Sequence, residues 1–403
     1  MKATGEPKTD WDRIEQHLPA GWRELGEAMG LVRERPAHME TKVRDLGVIL
    51  RLVLHQAGTS SSLRATTALA SAIGLISLSA VSLHQWMKKL GPYLTALLTR
   101  MVPTTGFAPA LWGGLHIIAG DATTVQRPGS KGTTARVHYA MRLADLTARH
   151  IEVTDEHGGE TARRFRAEKG EVWLLDRGYA NPPGVAAIRT PGAHIIVRHN
   201  RGTLPLYDKG GKRIDVAARL RATADREHAH QLRAFVHVGD ERIAGRLCWL
   251  RLPEHKAEGA RRRAAREADG PCDAETLHTA EFVVVFTTVL HELTAAQVLE
   301  LYRARWQVEL EFKRTKSIRE LDRLPNFLPE TIHSWICAKL VLQLVATRLA
   351  AAPAAFPPCG AGYALLGPAA EDVRTGRGRR RAVVRGEVGV AGRVQRAASC
   401  HVA

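Results

Sequence analysis

Two short apolar runs, each closed by an aspartate, constrain this chain more than any other feature. The first is Leu115-His116-Ile117-Ile118-Ala119-Gly120-Asp121 and the second Glu171-Val172-Trp173-Leu174-Leu175-Asp176. Apolar runs this short suit strands buried on both faces, as in sheets covered by helices. An acid closing such a strand stands on the sheet edge where α/β folds build their sites. His194–Arg198 reads as another short strand, with Ala135–Leu146 and Thr147–Asp155 as alternating neighbours. The expected class is α/β.

The flanking sequence has a different texture. Within 11–102, Trp11, Ile14 and Leu18, then Val43, Leu46, Ile49, Leu50, Val53 and Leu54, recur at helical spacing. Ser79 is a candidate N-cap, followed by Val81, Leu83 and Trp86 and the cationic pair Lys88–Lys89. This segment resembles a helix-turn-helix element whose lysines meet phosphates. A bundle helix with a solvated basic face is the plainer alternative.

Residues 200–280 carry turn signals at Asn200–Gly202 and Lys209–Lys212 and candidate strands at Phe235–Val238 and Arg246–Leu252. The charged stretch Lys256–Asp273 reads as an exposed loop or solvated helix. Glu281–Val289 returns as a buried strand, Thr294 caps a long helix from Ala295 to about Arg319, and Glu330–Leu349 is a second apolar helix. After Pro353 the periodicity is lost. The expected organisation is a helical DNA-binding region over 1–110 and a core over 111–199, interrupted by a β-rich insertion over 200–280. The core resumes over 281–352, and an irregular basic tail follows over 353–403. That tail is either a disordered DNA-binding segment or a non-ancestral end left by a reading-frame shift.

Charge narrows the partner. Lys and Arg number 58 against 41 Asp and Glu, a formal net charge of +17. A surplus of that size points to a polyanion, because neutralising phosphates releases condensed counterions. Five cysteines without metal-type spacing fit a reducing cytoplasm. No apolar stretch of transmembrane length occurs without charges, so a membrane partner is not expected.

Nucleic acid chemistry then gives the acids a use. Phosphodiester cleavage needs two or three carboxylates from separate elements, converging to hold two hard divalent ions. Asp121 and Asp176 meet that need from two strands, although an acid closing one strand is more often a turn residue. A third acid stands in the helix LYRARWQVELEFKRTK, where Tyr302, Arg305, Glu309 and Lys316 share one broad face. An exposed, salt-bridged helix is the alternative there.

The spacing Tyr-x2-Arg-x3-Glu-x6-Lys at these four positions resembles the YREK signature of the insertion-sequence-four-type DDE transposases. Chance would produce it in a chain this long on the order of a few times in a thousand. GDATTVQRP around Asp121 and LLDRGYAN around Asp176 are similar to the family's first two acidic blocks, in the same order. The resemblance covers about 113–350 well, the N-terminal helices loosely and the tail not at all.

It implies a ribonuclease H-like core carrying a β-rich insertion, preceded by an all-helical N-terminal domain. Asp121, Asp176 and Glu309 would be the catalytic, metal-binding triad for two Mg2+ ions, with Mn2+ accepted. Tyr302, Arg305, Lys316 and Arg177 would contact phosphates of double-stranded DNA, both transposon ends and target. The implied reaction is cut-and-paste transposition through a hairpin, by a homodimer in the synaptic complex, in the bacterial cytoplasm at the nucleoid. The second expectation is an inactive DNA-binding relic with a damaged C-terminus.

A hairpin needs a displaced base and an aromatic receiver. Phe282 is the candidate and Trp249 its rival, although both residue types more often sit in a core. Lys131, Arg136 and Arg142 are candidates for the border of a DNA channel, with solvated surface cations as the default. His228 and His230 lack a third ligand for a metal, and Gly210-Gly211 is a turn without a Walker pattern.

Overall fold

The computed structural model describes residues 9–32, 45–102, 114–130, 132–268, 271–317, 320–324 and 328–351. The expectations placed on Val43, Lys131, Arg319 and the segment from 353 onward lie outside these residues. The chain opens with helices α1 (Asp10–Gln16), α2 (Trp22–Ala28), α3 (Leu46–Thr59), α4 (Leu63–Ala72) and α5 (Ala80–Met101). Strands β1 (His116–Val125), β2 (Ala135–Arg142), β3 (Ala148–Asp155) and β4 (Glu171–Leu175) follow, then α6 (Pro182–Arg189) and β5 (His194–Arg198). Next come α7 (Val216–Arg221), β6 (His230–Val238), β7 (Glu241–Arg251), α8 (Glu254–Glu267), α9 (Ala274–Ala280) and β8 (Phe282–Thr287). The described chain closes with α10 (Ala295–Arg303), α11 (Trp306–Ser317) and α12 (Pro329–Ala351).

All eight of these strands join one mixed sheet in the order β3-β2-β1-β4-β5-β8-β7-β6. β1, β4 and β5 run parallel at its centre, and every other neighbouring pair is antiparallel. The β-rich stretch of 200–280 therefore continues the central sheet through β7 against β8. Its charged portion is a helix, α8, with only Ala257 buried.

Period-two alternation sorts the side chains of the central strands. Val172 and Leu174 of β4 enter the core on one face, together with Ile117 and Ala119 of β1. Trp173 and Leu175 enter the core on the other. The first face is covered by helices, with α12 packed on α5 and α3. Nine residues of α5 are buried, from Leu83 to Met101, which leaves Lys89 on the outer side. Ser79 caps α5 by accepting from Ser82 N at 3.1 Å. No described helix is long and apolar enough to cross a membrane.

Two elements differ from their expected bounds. β1 does not stop at Asp121 but runs on to Val125, because it leaves β4 after Ala119 while still pairing with β2 as far as Ala135. The long helix expected from Ala295 is two helices. Between them the ladder tightens to i→i+3 bonds: Arg305 N, Gln307 N and Val308 N donate to the carbonyls of Tyr302, Ala304 and Arg305. Thr294 does cap the first, in a reciprocal box with Gln297.

Candidate active site

Asp121 and Asp176 arrive at one level from neighbouring parallel strands. The β1–β4 ladder ends with Ala119 opposite Leu174, two residues before each acid. Both carboxylates thus stand just past the last shared rung, at the carboxyl edge of the parallel strands. Asp121 continues the face of Ile117 and Ala119, the face to which α11 is packed through Phe312 against Tyr139.

The helix break completes the arrangement. Because α11 begins anew at Trp306, Glu309 lies in its first turn, one helical turn beyond Arg305. Arg305 sits in the junction itself. Its Nη1 donates to Asp121 Oδ2 at 3.1 Å, and its Nη2 lies 2.5 Å from Glu309 Oε1 and 3.9 Å from Asp176 Oδ2. One guanidinium thereby gathers the three acids named from sequence.

The remaining signature residues join them. Tyr302 Oη donates to Asp176 Oδ1 at 3.1 Å, and Lys316 Nζ donates to the carbonyl of Thr124 at 3.1 Å, three residues beyond Asp121. Side-chain exposure rises from 12% at Arg305 and 17% at Asp121 to 37% at Asp176 and 46% at Glu309. The site therefore opens to solvent past Glu309.

Electrostatics follow from that gradient. Burial raises the Asp121 carboxyl to about 6, against the opposing pull of Arg305 and the Ala122 N–H, while Asp176 and Glu160 push in the same direction as burial. Burial works against the charge of Arg305, yet the three acids around it hold it more firmly protonated than usual. Burial also raises the Tyr302 phenol, with Asp176 adding to it, so it stays a donor. All-carboxylate oxygen donors around a buried positive charge suit a hard divalent cation. No three such side chains among the described residues are gathered closely enough to hold an ion as they stand. Here the guanidinium supplies the compensating charge.

Arg177 is exposed in the short turn after Asp176. Phe282 and Trp249 stand apart from this group, 3% and 7% exposed in the core of the opposite sheet face. Phe282 packs edge-on against His278, and Trp249 stacks on His230 while its Nε1 donates to Thr223. Lys88 and Lys89 are on α5, with Lys89 Nζ 5.7 Å from the Trp86 ring. Arg136 donates to the Gly158 carbonyl and Arg142 is buried.

Sequence reasoning passed over two neighbours of the acids. Arg198 closes β5 as Asp176 closes β4, and its charge reaches Tyr302. The strand-end signal that marked the acids marked it too. Glu160 is the other, in a glycine-bearing loop that carries no periodic signal.

Residues 112–341 match the transposase DDE domain family, more than half of the chain. The chain belongs to that family. It is 29% identical over 332 residues to the transposase of insertion sequence element IS421 from Escherichia coli, covering 80% of this chain and 89% of that protein. It is 28% identical over 331 residues to InsL of insertion sequence element IS186A from Escherichia coli strain K12, with the same coverage. The family match spans all three acids, the Arg305 junction and most of α12, and so takes in the whole site.

Proposed function

We propose that this DDE-family chain is a transposase that cuts and joins DNA at transposon ends, with Asp121, Asp176 and Glu309 as its metal-binding triad on a ribonuclease H-like core. The observation that carries this reading is the single guanidinium of Arg305 within 3.9 Å of acids on β1, just past β4 and on α11. Acids 188 residues apart along the chain do not converge on one cation unless the fold brings them there.

A pair of Mg2+ or Mn2+ ions, when bound, would supply activation of the attacking oxygen and charge neutralisation at the leaving one. The chain's own groups do the rest. Arg305, whose planar fork faces the acids in the metal-free chain, would be the donor to a phosphate. Tyr302 keeps its proton, orients Asp176 and holds that carboxylate in place. Lys316 and Arg177 grip flanking phosphates, with Lys88 and Lys89 meeting DNA farther from the cut. Excision through a hairpin, with Phe282 or Trp249 as base receiver, requires one of those buried rings to become accessible on DNA binding. Two copies of the chain would pair the two ends.

The test is end cleavage by the full-length chain on duplexes carrying the DNA that flanks its gene, with Mg2+ present or chelated. Metal-dependent nicking at the element boundary supports the reading. Binding to those duplexes without cleavage in Mg2+ or Mn2+ would remove it.

A further inference from the structure

Helix α11 carries a second acid that the site does not use. Glu311 follows Glu309 by two residues, so it leaves the helix about 200° around the axis from it. It is largely buried on the side of α11 that meets α12.

There a single amide holds it. Gln343 of α12 is buried; its Nε2 donates to Glu311 Oε1, and its Oε1 accepts from Thr315 Oγ1 at 3.0 Å. Glu311 and Thr315 lie one turn apart, so one side chain of α12 grips two successive turns of α11. Both polar atoms of the amide are committed, and a carboxylate this buried requires such a donor.

The helix that supplies the amide is itself fixed on either side of it. Ser334 Oγ donates to the Met87 carbonyl and Arg348 Nη2 to the Met101 carbonyl, both on α5 and both at 2.5 Å. His333 Nε2 lies 2.9 Å from Thr95 Oγ1 of the same helix.

What the amide controls is the rotation of α11 about its own axis. Val308 and Phe312 seat the helix in the core, but they stand only about 40° apart around that axis. Apolar contacts along so narrow a stripe are non-directional and define the rotation weakly. The hydrogen bonds at Glu311 and Thr315 are directional and define it sharply. Glu309 and Lys316 stand on the opposite flank. A turn of about 20° would carry their tips about 2 Å, given side chains that reach roughly 5–6 Å from a helix axis. A misplacement of about 1 Å can cost about a hundredfold in rate.

We infer that Gln343 is a positioning residue for strand cleavage, whose amide fixes the rotation of α11 and so where Glu309 and Lys316 stand against Asp121 and Thr124. This rests on the reading of Glu309 as a catalytic acid. Gln343 bonds to none of the three acids and acts through α11.

The experiment measures single-turnover cleavage of a transposon-end duplex in Mg2+ by the full-length chain, at a temperature where each variant is folded. Gln343→Glu sets a carboxylate against Glu311 and should slow cleavage about tenfold or more, with duplex affinity within a few-fold. Glu311→Gln keeps an acceptor for the Gln343 amide and should cleave within a few-fold of the unaltered chain. Combining the two pairs a donor with an acceptor again, so the double variant should recover most of the rate lost in Gln343→Glu. Gln343→Met removes the amide at similar volume and should also lower the rate rather than the affinity. A merely structural role gives a different result: a lowered thermal midpoint with an unaltered rate in the folded protein. That result in Gln343→Met overturns the inference, as does a double variant no faster than Gln343→Glu. Failure of the underlying reading looks different, because Glu309→Gln would then cleave as the unaltered chain does, and the inference falls with it.

Discussion

Asp121 and Asp176 occupy equivalent levels of two adjacent parallel strands, each two residues past the last rung that joins β1 to β4. That relation places two carboxylates side by side without a contact between them, and Arg305 fills the charge deficit. Asp121→Asn, Asp176→Asn and Glu309→Gln should therefore each abolish strand cleavage, while binding of a transposon-end duplex stays within a few-fold. Gel-shift and nicking assays on the same preparations separate the two. Retained nicking in any one variant would remove that residue from the triad.

The burial of Asp121 sets a pH dependence with a definite sign. Its carboxyl titrates near 3.8 when unfolded and about 6 when folded, burial being the main cause. Between those values the native state holds more protons, so metal-free stability falls as pH rises through that window and stays lower above it. Two pH units correspond to roughly 3 kcal/mol. Asp121→Asn escapes this cost, so at pH 7.5 without divalent ions it should be about 1–3 kcal/mol more stable than the unaltered chain. The difference should shrink toward pH 4. Urea unfolding at both pH values measures it, and a less stable variant at pH 7.5 would contradict the account.

How much of this site could be read from residues alone differs element by element. Asp121 and Asp176 were legible because each follows an apolar run, and Glu309 because its spacing from Tyr302, Arg305 and Lys316 is helical. The break at Arg305 was not, since Leu301–Glu309 contains neither Gly nor Pro. The tightened turn is held by ion pairs to acids more than a hundred residues away, and local propensity carries no trace of them. The strands of 200–280 were legible as strands, but their partner β8 comes later in the chain and pairing is non-local. The approach of Glu160 to Gly178 was invisible for the same reason, because it is a contact between segments far apart in the pattern.

Gly120 precedes the first acid and packs where no side chain fits. A Cβ there would meet Leu175 Cδ2 at 2.8 Å and the Phe165 ring at 3.2 Å. Gly120→Ala must turn the Leu175 methyl aside and shift Phe165 on its stack with Trp173, or push β1 from β4. The expected cost is about 1–3 kcal/mol, as for other overpacked cores. Cleavage should fall further than stability explains, because the strand that moves carries Asp121. Thermal unfolding together with single-turnover cleavage at a temperature where the variant is fully folded would test this. Full activity there would show that the acids tolerate the shift.

Arg305 has two tasks that a single substitution pulls in opposite directions. In the metal-free protein it is the cation within reach of all three acids, and it is nearly buried. Arg305→Gln should therefore lower the metal-free thermal midpoint, because it leaves a buried Asp121 beside Asp176 and Glu309 without a compensating charge. The same loss removes a competitor for the acids, so Mn2+ should bind more tightly than to the unaltered chain. The metal-induced rise in midpoint should be correspondingly larger, since stabilisation grows with the logarithm of ligand over dissociation constant. Cleavage should nevertheless fall, because the phosphate loses its planar donor. Calorimetric melting with and without Mn2+, set beside nicking rates, resolves the three effects. Weaker Mn2+ binding in Arg305→Gln would mean that the arginine organises the acids for the cation rather than standing in for it.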